Sequence, residues 1–333
     1  MAEPGITPPA NERGAALLTV LMLVAVMAVI TTIALERLTI ATRMAQNGVS
    51  TDQGRAFLTA GETMAAMRLG DLVTARADRT TLQGNWLGTP QTVPVPGGSV
   101  IARVRDAGNC FNVNSVVTGD TLDNLVASPV GIKQFSALLR LLGTDPQTAE
   151  QIAQASADWI DSNSSPQPGG GQEDSYYQQL PEPYRTAGTL VTDPSEIRTV
   201  AGMTAPIYDR VRPWLCALPV AALSPININT LLPDQAILLA MLTDGRVGPD
   251  AARQLLARRP QDGYGSLVTF WGQPALSALG VPPDVSEQTK LSSRWFEVDL
   301  RVNLGGTDVS ETALFDARKM PVRLARRRWG DEY

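Results

Sequence analysis

AALLTVLMLVAVMAVITTIAL, residues 15–35, carries no charged side chain. At about 1.5 Å of rise per residue this stretch is long enough to cross about 30 Å of hydrocarbon as a helix. A cleavable secretory signal is the alternative, with Thr32 and Ala34 as small residues before a cut, yet such signals have apolar regions of only about 7 to 15 residues. Flanking charge does not orient the span, because Arg13 leads it while Arg37 and Arg43 trail it, against the positive-inside tendency. Past Leu35 the apolar residues thin to three-to-four spacing at Leu38, Ala41 and Met44, then Phe57, Ala60, Met64 and Met67. One helix over about 15–76 is predicted, facing lipid first and then flanking a soluble domain, with Gly48 and Gly54 as candidate bends.

Working outward, QTVPV, the turn PGG and SVIARVRD read as a hairpin over 91–106, with Val100, Ala102 and Val104 on one face and Arg103 and Arg105 on the other. At the far end, strands are expected over about 293–304, 307–317 and 320–329, the first two joined at Gly305-Gly306. Between the two strand groups, about 110–290, the pattern is helical, as in GIKQFSALLRLLG and DPQTAEQIAQASADWID. The class is therefore α+β, a split sheet with a large α-rich insertion. An echo lies inside the insertion: FNVNSVV (111–117) and ININTLL (226–232) share N-[VI]-N-[ST], 115 residues apart, which suggests two related helical halves. The second half also resembles a helix-hairpin-helix unit with Gly245 and Gly248 at its turn. This leaves a membrane-tethered DNA-binding protein as an alternative, although Asp244 and Asp250 flank the turn and would repel phosphate.

Composition narrows the chemistry. The 333 residues hold 28 Lys and Arg against 33 Asp and Glu, a net charge of -5, so no global basic field draws the chain to nucleic acid. Histidine is absent, which removes Ser-His-Asp and Cys-His nucleophile systems and HExxH zinc sites. No GxSxG, GxxxxGK[ST] or GxGxxG stands in a strand-to-helix context, so no catalytic set is expected. Cys110 and Cys216 make one pair that an oxidising compartment would join; two buried thiols are the other possibility.

The stretch richest in ligand chemistry is ADWIDSNSSPQPGGGQEDSYYQQLPEPYR, from 157 to 185. Asp158, Asp161, Glu173 and Asp174 bracket a loop of Ser, Asn, Pro and Gly, the many-oxygen surroundings that Ca²⁺ takes. An EF-hand does not fit: Asp161, Asn163 and Ser165 match loop positions one, three and five, but Pro166 stands where the sharp turn needs Gly and Gln172 where a bidentate Glu belongs. Either a different oxygen cage or a solvated acidic loop remains. Nearby, Asp193-Pro194-Ser195-Glu196 reads as a helix start, with Asp193 the N-cap and Glu196 completing a capping box.

Taken together, ERG before the apolar run (12–14), GNCFNVNSVV (108–117), ADWID (157–161), QEDSYY (172–177), PYR (183–185), PININT (225–230) and the terminal strands resemble the K-type minor pseudopilins of bacterial type II secretion systems. The resemblance implies an α+β fold with a pilin-like long N-terminal helix and antiparallel sheet, carrying an inserted α-domain of two SAM/helix-hairpin-helix-like halves. It divides the chain into a leader (1–14), the helix (15–76), a body (77–109 and 291–333) and insertion halves at 110–217 and 218–290. It further implies peptidase cleavage between Gly14 and Ala15 with methylation of the new terminus, and a fifth mature residue, Thr19, lacking the acid usual in pilins. Calcium is implied in the insertion; among the loop's own oxygens Asp161, Asn163, Glu173 and Asp174 are the expected ligands, the two acidic neighbours foremost, and a Cys110–Cys216 bridge would close the first half. The implied partners are I- and J-type minor pseudopilins, the major pseudopilin, the prepilin peptidase and the inner-membrane assembly platform, with no nucleic acid. The implied place is the inner membrane, single-pass, with the soluble part in the periplasm.

Overall fold

In the computed structural model residues 10–330 are described; residues 1–9 of the expected leader and 331–333 of the expected body lie outside them. The first element, α1, runs unbroken from Ala10 to Ala75. Its segment through the apolar run is lipid-ready: among the described residues it is the one helix long and apolar enough to cross a membrane, and none of its apolar window is buried in the protein. No break in the helix falls at Gly48 or Gly54. Gly54 is instead a point of close approach, where an added Cβ would lie 2.9 Å from Val309 Cγ2.

After α1 come β1 (Gln91–Val95) and β2 (Gly98–Asp106), the expected hairpin. The insertion follows, with two-residue strands β3 (Phe111–Asn112), β4 (Val117–Thr118) and β5 (Val126–Ala127) and helices α2 (Pro129–Leu141), α3 (Pro146–Ile160) and α4 (Asp174–Tyr177). It continues through α5 (Ala205–Val211), β6 (Leu215–Cys216), α6 (Ala236–Leu242) and α7 (Pro249–Ala257). The chain then returns as β7 (Trp295–Leu304), β8 (Thr307–Asp316) and β9 (Arg323–Trp329). The last strand begins later than the sequence suggests, beyond Pro321, which has no N–H for a ladder.

Five strands form one antiparallel sheet in the order β1-β2-β7-β8-β9. Alternation along β7 decides its faces. Phe296, Val298, Leu300, Val302 and Leu304 are buried against Leu58, Leu69 and Val73 of α1, while Glu297, Asp299, Arg301 and Asn303 take the other face. The direction of α1 follows from its contacts, since Gly54 meets Leu304 and Val309, and Gly61 meets Leu300 and Val100. The Gly98/Leu304 end of the sheet therefore faces the membrane span, and the Asp106/Phe296 end, where register partners close the ladder, lies farthest from it. The insertion leaves and returns at that far end, and has its own core around Phe111, Phe135, Leu138, Ile152 and Tyr177.

Candidate metal centre

The sequence echo is a structural repeat at the level of single hydrogen bonds. Asn112 Oδ1 accepts from Asn114 N, and Asn227 Oδ1 accepts from Asn229 N. The second Asn of each pair clamps the backbone of a distant residue from both sides. Asn114 Oδ1 accepts from Val191 N at 2.8 Å and its Nδ2 donates to Val191 O at 2.9 Å. Asn229 does the same to Tyr264, at 2.6 and 3.1 Å. All four asparagines are buried, and fully bonded amides are the condition for placing them there. In the first half the clamp at Val191 ends the loop that began at α3, so the acidic stretch is held at both ends.

Helix α3 has Asp145 as its N-cap, whose carboxylate accepts from Gln147 N and Thr148 N, and Asp161 as its C-cap. The three-residue offset between Asp158 and Asp161 puts both carboxylates on one side of its last turn. Glu173, the N-cap of α4, brings a third from across the loop: one oxygen from each of Asp158, Asp161 and Glu173 lies within 4.8 Å of the others. All three residues are buried. Burial, and then mutual repulsion, raise Asp158 to about 6 and Glu173 to about 7, and burial raises Asp161 too. Gln167 N donates to both oxygens of Asp158, at 3.2 and 3.1 Å. Gly171 leaves room for this carboxylate, since an added Cβ would collide with Asp158 Oδ2.

The other two expected ligands are placed differently. Asp174 turns away from the cluster: its Oδ1 accepts from Thr186 N and Oγ1, both at 2.9 Å, and these bonds hold its carboxyl below the ordinary range. Asn163 supports Asp161, donating Nδ2 to Asp161 Oδ2 at 2.7 Å, while its own amide oxygen accepts from Ser165 N. Asp158, absent from the expected ligand set, takes the third place. The residues present fit a hard cation: three carboxylates converge, no nitrogen or sulfur donor is among them, and Glu173 Oε1 is buried with no hydrogen-bond partner. An oxygen-rich set on a flexible loop suits calcium, which takes 6–8 oxygens.

Cys110 and Cys216 are joined as a disulfide, with Cα atoms 5.8 Å apart, beside the parallel pairing of β3 with β6. The helix start at Asp193 is a single 3-10 helix, Pro194–Thr199, with both arms of the capping box formed. The DNA-binding alternative is not supported. At the Gly245 turn Asp244 accepts from Arg140 at 2.6 Å and pairs with Lys133 at 3.3 Å, so the turn is tied to α2.

Family models described as type II secretion system protein K match residues 109–220 and 226–292. Type II secretion system protein K of Pectobacterium carotovorum subsp. carotovorum is 34% identical, over 96% of this chain and 97% of that protein. The protein of the same name from Aeromonas hydrophila is 33% identical over 92% of this chain and 93% of its own length. Among solved structures, one from the GspK-GspI-GspJ complex of the enterotoxigenic Escherichia coli type 2 secretion system has a TM-score of 0.73 and 28% identity, covering 87% of this chain and 99% of that one. With this likeness running nearly end to end, the chain belongs to the type II secretion system protein K family, the K-type minor pseudopilins.

Proposed function

We propose that this chain occupies the tip of the pseudopilus, assembled there with I- and J-type minor pseudopilins, in a structural rather than enzymatic role. The observation that carries the reading is the end of the sheet from which the insertion departs. Subunits that enter a filament from the membrane are added beneath earlier ones, so the space above Asp106 and Phe296 is where an older neighbour would sit. In this chain the insertion departs from that end and returns to it, which would obstruct such a neighbour. Thr19 supports the same placement: its hydroxyl donates to Ala15 O and Ala16 O of its own helix and carries no charge to offset a neighbour's buried terminal amine. A first subunit has no older neighbour to satisfy.

Before assembly the apolar helix resides in the inner membrane with the soluble part in the periplasm, after cleavage between Gly14 and Ala15 and methylation of Ala15. Asp158, Asp161 and Glu173 hold a calcium ion, whose two positive charges offset the repulsion among the three gathered carboxylates and order the loop between α3 and α4. Gold labelling of detached filaments with an antibody to the insertion tests the placement. Label at one end is expected, and label spread along the shaft would overturn it. In the same cells, Gly14→Val is expected to accumulate the uncleaved chain.

A further inference from the structure

A cleft of about 1150 Å³ opens where the sheet and the two insertion halves meet. Leu87, Tyr208, Pro213 and Leu232 contribute to its lining, and the Cys110–Cys216 disulfide forms part of its wall. Most charge along it is matched. Arg105 pairs with Glu297, Arg328 pairs with Asp193, and buried Asp106 accepts from Ser293, Thr230 and Gly108 N.

Arg198 and Arg212 differ from these. Both line the cleft, both are exposed, and neither pairs with a carboxylate among the described residues. The Arg198 guanidinium lies 5.6 Å over the Tyr208 ring, a contact that holds it in place without cancelling its charge. Asp209 also lines the cleft, so two cations face one acid there.

We propose that this cleft is a docking groove for an extended acidic segment of a partner protein, whose carboxylates meet Arg198 and Arg212. The volume is at or above the upper end of small-molecule sites, about 300–1,000 Å³, and so suits a length of peptide better than a single small anion. Guanidinium groups match carboxylates in two-pronged geometry. A wall fixed by a disulfide lowers the ordering cost of binding. Docking in this cleft requires neither the tip placement nor calcium.

The test uses the full chain in detergent micelles and a fluorescent hexaglutamate peptide at about 0.15 M salt. Saturable binding is expected, with hexalysine and free glutamate failing to compete. Exchanging both arginines, Arg198→Glu with Arg212→Glu, is expected to weaken binding by about tenfold or more, and Arg212→Glu alone covers the case in which the double variant misfolds. Arg210→Glu, on the same segment but outside the lining, makes the same change of charge and is expected to leave binding within about twofold. No saturable binding, equal losses in Arg210→Glu and Arg212→Glu, or competition by free glutamate would each overturn the proposal.

Discussion

Arg327 and Arg328 are neighbours on β9 and pair in opposite directions. Arg327 Nε donates to Glu62 Oε1 of α1 at 2.6 Å, while Arg328 pairs with Asp193 at the capped turn of the insertion. Strand alternation produces this, so one strand braces the membrane helix on one face and the insertion on the other. Arg326 adds to the second grip by donating to Ala217 O at 2.8 Å. On the helix side a second acid, Glu311, lies 3.5 Å from Arg327 with its side chain fully buried.

That second acid predicts a pH dependence. Burial, and then the neighbouring Glu62 carboxylate, push Glu311 up to about 8 from an ordinary 4.5. Between those values the folded protein holds a proton that the unfolded chain has released, so stability present at low pH is lost as pH rises towards about 8. Glu311→Gln removes this loss. Its melting temperature is expected to fall less than that of the natural chain between about pH 5 and 8.5, and superimposable profiles would contradict the assignment. Arg327→Ala leaves two buried acids without their cation and is expected to cost about 3–5 kcal/mol.

Calcium is expected to raise the melting temperature of the chain, and a chelator to reverse the gain. A ligand at 100 times its Kd that binds only the folded state contributes about 2.7 kcal/mol. Asp158→Asn and Glu173→Gln are expected to abolish the response, whereas Asp174→Asn keeps it, because that carboxylate serves Thr186. A calorimetric titration of the three variants distinguishes the two groups.

Asn114→Ala and Asn229→Ala each strand one buried N–H and one buried C=O, at Val191 and Tyr264. Each is expected to destabilise the insertion by at least about 1–3 kcal/mol. Asn→Asp exchanges are expected to be damaging too, since an ionised carboxylate cannot donate to Val191 O or Tyr264 O. Denaturant midpoints measure both effects.

Thiol labelling of the denatured, unreduced chain is expected to find neither Cys110 nor Cys216 free. The bridge spans 106 residues, and the chain-entropy model assigns a loop of that length up to about 4.7 kcal/mol. Cys216→Ser is expected to lose a large share of it, read as a lower melting temperature.

Much of this architecture was legible because it rests on short-range periodicity. The uncharged run at 15–35 and the alternation of Phe296 to Leu304 each announce their element without a partner. The carboxylate cluster is less legible. Glu173 and Asp174 look equivalent in a sequence, yet one is an N-cap facing the loop and the other is drawn off by Thr186, twelve residues on. The local signal for Asp158 is its offset of three from Asp161 at a helix end. Nothing local points to Glu62, Glu311 and Arg327 meeting, since that depends on the register of β8 with β9 and on where α1 crosses them.

Asp106 and Phe296 face each other across β2 and β7, the geometry of two strands that a tight turn could have joined. Topologically, then, the whole α-rich insertion is the loop of a hairpin. The ladder between β2 and β7 closes on its own register, so the strand order of the sheet is set without the domain, while Arg326 and Arg328 of β9 fix how that domain leans on it.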